Sequence, residues 1–274
     1  MKISALVSTK EQLNAVLRSG SAVSRVILDS TVCAPEEWAD ARALIRAAGK
    51  EAFFAFPYVF QEKARQYFLK AMPMLQKAAF SGFLLRSLEE FVFAKEQGLN
   101  GLFQADHGIY AFNRQAKNVL LSGGFDLLTV PLEHSAKDSA RMGAQSMELI
   151  VYGYIPMMVS HNCVHATLEG CDHRGKPLLI VDRLSHGMRH MNDCRFCLST
   201  IYNCVPLYLL DCQKEIDMVS PDSLRLSFTF ESEETCESIL RLSEDSLIGV
   251  SSGNKAPSYD MGEFTRGHFR NSVE

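Results

Sequence analysis

The chain lacks most of the features that assign a function at a glance. No apolar run approaches the roughly 18 residues of a membrane-spanning helix, and the opening stretch, MKISALVSTKEQ, has no apolar core of signal-peptide length. The expectation is a cytoplasmic protein with no membrane partner. An excess of basic residues is missing as well. Lys and Arg number 28 against 32 Asp and Glu, a formal net charge of −4, so bulk electrostatics does not recommend nucleic acid as a partner. No glycine-rich phosphate turn follows an early strand. There is no HExxH and no Cys/His pair in a known local nucleophile signature. Short-period repeats and low-complexity tracts are absent. With 47% hydrophobic and 22% charged residues, the composition excludes a disordered, collagen-like or coiled-coil chain. A length of 274 residues suits one large domain or two small ones.

What is present is a rhythm. Short apolar runs at 3–7, 25–28, 52–56, 82–85, 101–105, 127–130 and 149–152 alternate with amphipathic stretches at 10–18, 35–48, 62–77, 88–97, 111–120 and 135–142. Pro35, with Glu36 and Glu37 in the first turn, is a helix start. Gly49, Gly98 and Gly143 follow their helices as C-terminal caps do. An eighth unit comes late. Residues 223–230 alternate Leu224, Leu226, Phe228 and Phe230 against Arg225, Ser227 and Thr229, after which Ser232 caps a helix reaching about 242, with Glu233 and Glu234 in its first turn. Eight such units predict an α/β fold, a (β/α)8 TIM-barrel-like domain over residues 1–250. An open doubly wound sheet is the alternative. Residues 157–220 break the rhythm as a Cys/His-rich insertion between strands seven and eight, containing a hairpin with arms 178–182 and 187–191. Its position puts it over the C-terminal mouth, where barrel enzymes keep their chemistry. The tail, 251–274, is richer in Ser, Gly and Pro and is expected to pack on the barrel.

Of the 8 cysteines only Cys33 lies early. Cys163, Cys171, Cys194, Cys197, Cys204, Cys212 and Cys236 crowd the later part. Without a secretory signal, clustered thiols point to metal rather than disulfides, although Cys204 and Cys212 serve equally well as small buried hydrophobes. Two ligand sets compete. Zinc would take Cys163, Cys171, Cys194 and Cys197, because Cys194-Arg-Phe-Cys197 is a CxxC knuckle. An iron–sulfur cluster would take Cys163, Cys171, Cys197 and Cys236, the last in the first turn of the final helix, where the dipole favours a thiolate and the side chain is expected to face the mouth. Spacing alone slightly favours zinc. His161, His165, His173, His186 and His190 are ligand candidates or residues of a solvated loop.

Strand ends supply the catalytic candidates. Asp106 and His107 follow the fifth apolar run and Arg86 the fourth. Arg86 suits a bidentate grip on an anion, or a pairing with Glu89 or Glu90. Glu133 follows the sixth run. Tyr152, Tyr202 and Asn203 are candidates to line a pocket, and Arg174, Lys176, Arg183, Arg189 and Arg195 form either an RNA-contacting patch or a solvated face.

Several stretches taken together carry a resemblance. Glu148-Leu-Ile-Val-Tyr-Gly-Tyr-Ile-Pro-Met-Met-Val-Ser-His-Asn-Cys163 is followed by Leu179-Ile-Val-Asp182-Arg183, Cys197-Leu-Ser-Thr-Ile-Tyr-Asn203, Pro206-Leu207 and Phe264-Thr-Arg-Gly-His268-Phe. Earlier come Gly82-Phe-Leu-Leu-Arg86 and Ala105-Asp106-His107 through Asn113. In this order they resemble the collagenase-like peptidase family U-32 over most of the chain. The resemblance implies a barrel whose four cysteines, here Cys163, Cys171, Cys197 and Cys236, hold an iron–sulfur cluster of the 4Fe-4S type, with zinc as the alternative occupant. It adds Arg183, Arg266 and His268 to Tyr152, Tyr202 and Asn203 as substrate-binding candidates. Relatives support oxygen-independent hydroxylation of RNA bases, ribosomal or transfer, or of a quinone precursor, with prephenate as oxygen donor in some. Departures are visible. The family's opening Pro-Ala-Gly is replaced by Ala5-Leu-Val-Ser-Thr-Lys-Glu-Gln, Tyr152 stands where a His is usual, and Ile155-Pro156 replaces a cysteine position. This pattern is similar to the second, divergent barrel of long members. It implies RNA as a partner, together with a preceding barrel of the same larger protein or a paralogous subunit. Two other functions stay open: a collagenase-like peptidase acting on extended peptides, and a non-catalytic barrel that binds RNA or a partner.

Overall fold

The computed structural model describes residues 1–274 except 20, 21, 169, 172, 174, 176, 249–262 and 272–274. Strands form where β-branched and aromatic residues cluster, and helices where an apolar stripe follows a capping side chain. Thr9, Ser87, Asn113 and Ser135 each accept a backbone N–H from the first turn of the helix they precede. In chain order the barrel elements are β1 (Lys2–Val7), α1 (Lys10–Arg18), β2 (Val23–Asp29), α2 (Trp38–Ala47), β3 (Glu51–Ala55), α3 (Glu62–Ala78), β4 (Gly82–Leu85), α4 (Leu88–Glu96), β5 (Leu102–Ala105), α5 (Arg114–Ser122), β6 (Leu127–Thr129), α6 (Ala136–Met142) and β7 (Met147–Gly153). The insertion follows with β8 (Pro156–Ser160), α7 (Val164–Leu168), β9 (Leu178–Val181), β10 (Gly187–Asp193), β11 (Leu198–Tyr202), β12 (Leu207–Tyr208) and α8 (Gln213–Val219). The barrel then resumes with β13 (Ser223–Ser227) and α9 (Glu233–Ile248).

Strands β1 to β7 pair in parallel with their sequence neighbours, and β13 lies between β7 and β1, so the sheet closes. This is an eight-stranded parallel barrel wrapped by helices, a (β/α)8 fold, with β13 as its eighth strand. Its strands are buried on both faces, as parallel strands under helices must be. Leu6, Ile27, Phe53, Ala55 and Leu84 fill one side of the lumen. Between strands and helices, Trp38, Phe54, Phe56 and Phe68 pack with ring centroids 4.8–6.3 Å apart.

The insertion leaves the barrel at Gly153 and builds an antiparallel sheet in the order β8-β11-β10-β9. Gly153 has φ +144°, and a Cβ there would lie 2.5 Å from the Ser227 carbonyl oxygen. Only glycine lets β7 turn away so close to β13. The hairpin of β9 and β10 matches the arms expected from sequence, while β8, β11, β12, α7 and α8 carried no period that announced them. Most of the tail lies outside the described residues, as do Arg174 and Lys176 of the basic patch. Within its described part, Thr265 bridges Leu207 and the Phe269 carbonyl accepts the Ala136 N–H.

Candidate functional site

Polar side chains form a buried ladder of charge that starts at the C-terminal ends of β2, β4 and β5 and runs down the lumen through Arg225 to Glu148 near the start of β7. The Arg86 guanidinium, just past β4, donates to Asp29 Oδ2 at 3.0 Å through both NH1 and NH2, and to the Phe56 carbonyl at 2.5 Å. Its Nε lies 3.5 Å from Asp106 Oδ2. On the far side of Asp106, Arg225 NH2 donates to Oδ1 at 2.5 Å, and Arg225 Nε sits 3.4 Å from Glu148 Oε2. Glu148 also accepts from Ser4 Oγ (2.5 Å), Gln104 Nε2 (2.7 Å) and Ser223 Oγ (3.2 Å). Asp29, Arg86, Asp106, Arg225 and Glu148 therefore tie β2, β5, β7, β13 and the β4 terminus together across the lumen. Charges this deeply buried persist only when paired.

The pairing sets protonation states. Burial opposes the Asp106 carboxylate, but Arg225, His107 and Arg86 outweigh it and hold the group well below the ordinary range. Asp106 Oδ1 also accepts the His107 N–H at 2.8 Å and lies 3.1 Å from His107 Nδ1. An ionised Asp accepting Nδ1–H leaves Nε2 of the half-buried His107 as a proton acceptor. Glu90 is the opposite case. Fully buried on α4, it is pushed up to about 8 by desolvation, although it accepts the Arg86 backbone N–H at 2.6 Å.

The insertion roofs this ladder. Met191, Asn192, Asp193, Leu198, Thr200 and Tyr202 close over Ser8, Asp29, Tyr58 and Arg86, leaving a cavity of about 60 Å³. The Cys194–Cys197 turn is seated directly on the barrel. Arg195 donates to the Ser30 carbonyl at 2.6 Å and to Asp193 Oδ2 at 2.7 Å, while Phe196 is buried 5.3 Å from the Tyr67 ring. The Tyr58 ring lies 3.9 Å from the Arg86 guanidinium carbon.

The residues expected from sequence are distributed unevenly. Arg86, Asp106 and His107 stand together, and Tyr202 lines the cavity. Asn203 is half-buried nearby, its Oδ1 accepting the Cys204 N–H. Tyr152 is not at the mouth. It is buried between strands and helices with Phe228, and both burial and Glu231 push its hydroxyl up. Arg183 is exposed at the tip of the β9–β10 hairpin. Arg266 pairs with Asp211 and donates to the Tyr208 carbonyl at 2.6 Å, pinning the tail, and His268 is exposed. Glu133 accepts from Tyr110 rather than facing the cavity. Asp29, Tyr58, Glu148 and Arg225 were not singled out from sequence, and Arg195, expected in a basic patch, instead anchors the insertion on Ser30. For Asp29 the signal was available, as a carboxylate ending an apolar run.

The thiols fall into three settings. Cys163 and Cys171 lie near enough to Cys194 that, after burial, they are what raises its thiol. Cys197 Sγ is 3.6 Å from Lys63 Nζ. Cys236 sits in the core with 0% exposure. Burial first and Glu231 second push its thiol far up, against the thiolate expected at a helix N-terminus, and no cysteine is among the groups bearing on it. Among the described residues, no three His, Cys, Asp or Glu side chains gather closely enough to hold a metal ion. The set Cys163, Cys171, Cys197 and Cys236 does not fit a cluster as these residues stand.

A nucleophile for peptide hydrolysis is also hard to place. Ser199 Oγ donates to Asn192 Oδ1 at 2.7 Å and lies 2.9 Å from His190 Nε2. Among the described residues His190 Nδ1 has no hydrogen-bond partner, so no third group orients the imidazole as a base for Ser199.

Fold and site together define a (β/α)8 barrel whose mouth carries a paired acid–base network beneath a thiol-bearing lid. No protein-family model and no curated protein matches the chain. Among solved structures it is similar to the U32 peptidase Mk0906, at 11% identity over 85% of this chain and 94% of that one, with a TM-score of 0.51. Thiamine phosphate pyrophosphorylase from Pyrococcus furiosus is 12% identical, covering 90% of this chain and 96% of its own at a TM-score of 0.46. Phosphoribosylanthranilate isomerase from Thermotoga maritima is 11% identical, covering 91% and 99% at 0.46. Such likeness concerns the fold alone, a (β/α)8 barrel. No helix among the described residues is long and apolar enough to cross a membrane.

Proposed function

We propose that this U32-like barrel takes part in the oxygen-independent hydroxylation of an RNA base, with the barrel mouth as the place where the base is handled. One observation carries the reading: the thiol-rich insertion is anchored on the mouth through Arg195 and Ser30, directly over the Asp29–Arg86–Asp106 network. His107 Nε2, oriented through Nδ1 by an ionised Asp106, takes or returns a proton at the mouth. Arg86 and Arg225 keep that Asp ionised. The insertion thiols Cys163, Cys171 and Cys194, of which the first two act on the third, would be the donors to an iron–sulfur cluster or zinc, and no step is assigned to either. The prephenate donor, the RNA and the partner barrel remain parts of this proposal that rest on the resemblance. Hydrolysis of extended peptides ranks second, because among the described residues nothing bonds His190 Nδ1 to orient it as a base for Ser199.

The test is nucleoside mass spectrometry of RNA from host cells with and without the gene. A nucleoside one oxygen heavier should disappear on deletion, return with wild type and fail to return with His107→Ala. An unchanged nucleoside profile removes the hydroxylation reading. Anaerobic purification with iron, sulfide and zinc analysis of wild type, Cys194→Ala and Cys236→Ala assigns the ligands separately. Metal lost only in Cys194→Ala selects the insertion thiols, whereas metal lost in Cys236→Ala restores the set implied by the resemblance.

A further inference from the structure

Beside the mouth, the loops that follow β5 and β6 enclose a second cavity of about 430 Å³, lined by Phe112, Arg114, Glu133, His134 and Arg141 among others. That volume lies within the range of small-molecule sites, unlike the cavity under the insertion. Its aromatic wall is fixed in place. Tyr110 adopts φ +56°, a left-handed conformation costly for a bulky residue, and both Tyr110 and Phe112 are about half exposed. Two ties hold this loop to its neighbour. Tyr110 Oη donates to Glu133 Oε1 at 3.0 Å, and His134 Nε2 bonds the Phe112 carbonyl at 3.0 Å with its ring 4.6 Å from the Phe112 ring. Tyr110 caps the short turn His107–Ile109 in this conformation, which sets the path of the chain into Phe112. Two guanidiniums flank the wall. Arg114 reaches across to the Arg141 carbonyl at 3.1 Å, and the Arg141 side chain, 80% exposed, pairs loosely with Asp138 Oδ1 at 3.5 Å on the same rim. The Asp106–His107 pair opens the same loop that carries Tyr110 and Phe112.

We propose that this cavity is a nucleobase subsite for single-stranded RNA, in which a base stacks on Phe112 while Arg114 and Arg141 meet the adjoining phosphates. The proposal rests on the RNA reading above and deepens it by naming the contact surface. An aromatic face beside exposed cations is the combination that binds single strands without needing a basic protein overall, because stacking supplies much of the affinity. The base held here neighbours the nucleotide presented to His107.

The experiment is fluorescence anisotropy of a labelled single-stranded RNA 12-mer of mixed sequence (~12 nucleotides, within the site sizes of single-strand binders), titrated with wild type, Phe112→Ala, Arg114→Gln and Arg141→Gln. Leu44→Ser, exposed on α2, serves as the control. Phe112→Ala should weaken binding about 5- to 100-fold, the equivalent of one stacked base. Each Arg variant should weaken it and lower the slope of log affinity on log salt by about one. Far-UV circular dichroism and melting temperature should stay at wild-type values, since Phe112 is half exposed. If wild type binds and Phe112→Ala and both Arg variants bind equally well, the subsite is wrong and the RNA reading survives. If wild type binds no RNA even at low salt, the subsite and the RNA part of the functional reading both fail.

Discussion

Arg225 is the side chain whose removal most directly probes the buried ladder. It has 0% exposure and lies between Asp106 and Glu148. Arg225→Leu keeps much of the volume and removes the cation. Glu148 retains its bonds from Ser4, Gln104 and Ser223, and Asp106 retains Arg86 at 3.5 Å. One buried carboxylate charge is nonetheless left poorly compensated, which costs about 3–5 kcal/mol. Against a total stability of about 5–15 kcal/mol, the melting temperature should fall by roughly 6–20 °C. The pH dependence separates this from a packing defect. In wild type the folded Asp106 pKa is depressed, so its contribution is present above the unfolded value near 4 and is lost as pH falls through the folded value. In the variant Asp106 accepts a proton more readily, and protonation removes the buried charge. The gap between wild type and Arg225→Leu should therefore be widest near neutral pH and narrow below about pH 4, as followed by urea midpoints across pH. A gap below about 1 kcal/mol at pH 7, or one of equal size at low and neutral pH, would refute the electrostatic account.

Other outcomes follow from the same geometry. Glu90, raised to about 8 in the fold, stabilises most below its unfolded pKa and loses that contribution as pH rises towards 8; Glu90→Gln should flatten this decline in urea midpoint between pH 5 and 8, values bracketed by that shift. Gly153→Ala places a Cβ 2.5 Å from the Ser227 carbonyl oxygen at φ +144°, and should cost about 1–3 kcal/mol in thermal melts. Arg195→Ala removes charge-assisted bonds to Ser30, worth about 1.5–3 kcal/mol. Protease cleavage within residues 157–220 should then be about tenfold faster or more, with the barrel's circular dichroism unchanged.

The barrel was legible because each unit announces itself locally. The run at 82–85 is β4 to the residue, the stretch at 10–18 is α1, and Ser135 caps α6 where a cap was expected. Two helices began late: α2 starts at Trp38 after a single 3-10 turn over Pro35–Glu37, and residues 111–113 precede α5, because Asn113 supplies the cap and Tyr110 turns left-handed ahead of it. The insertion was visible as a loss of rhythm, but not as a four-stranded sheet, since β8 pairs with β11 only across the whole β9–β10 hairpin and the strands alternate weakly. For the site, strand-end position found Arg86, Asp106 and His107. Arg225 escaped because alternation along residues 223–230 reads as a polar face, whereas at a barrel mouth the polar face points inward. Cys236 illustrates a different failure. Helix-terminus position argues for a thiolate, and complete burial beside Glu231 overrides it.

The ladder from Asp29 to Glu148 has a consequence for descent. Five side chains drawn from separate parts of the chain share their counter-charges, so no single member can drift without stranding the next. Homologous barrels should keep Asp29, Arg86, Asp106, Arg225 and Glu148 as a set or replace them as a set. A lineage that has lost Arg225 should also have neutralised Asp106 or Glu148, whatever has become of the cysteines above them.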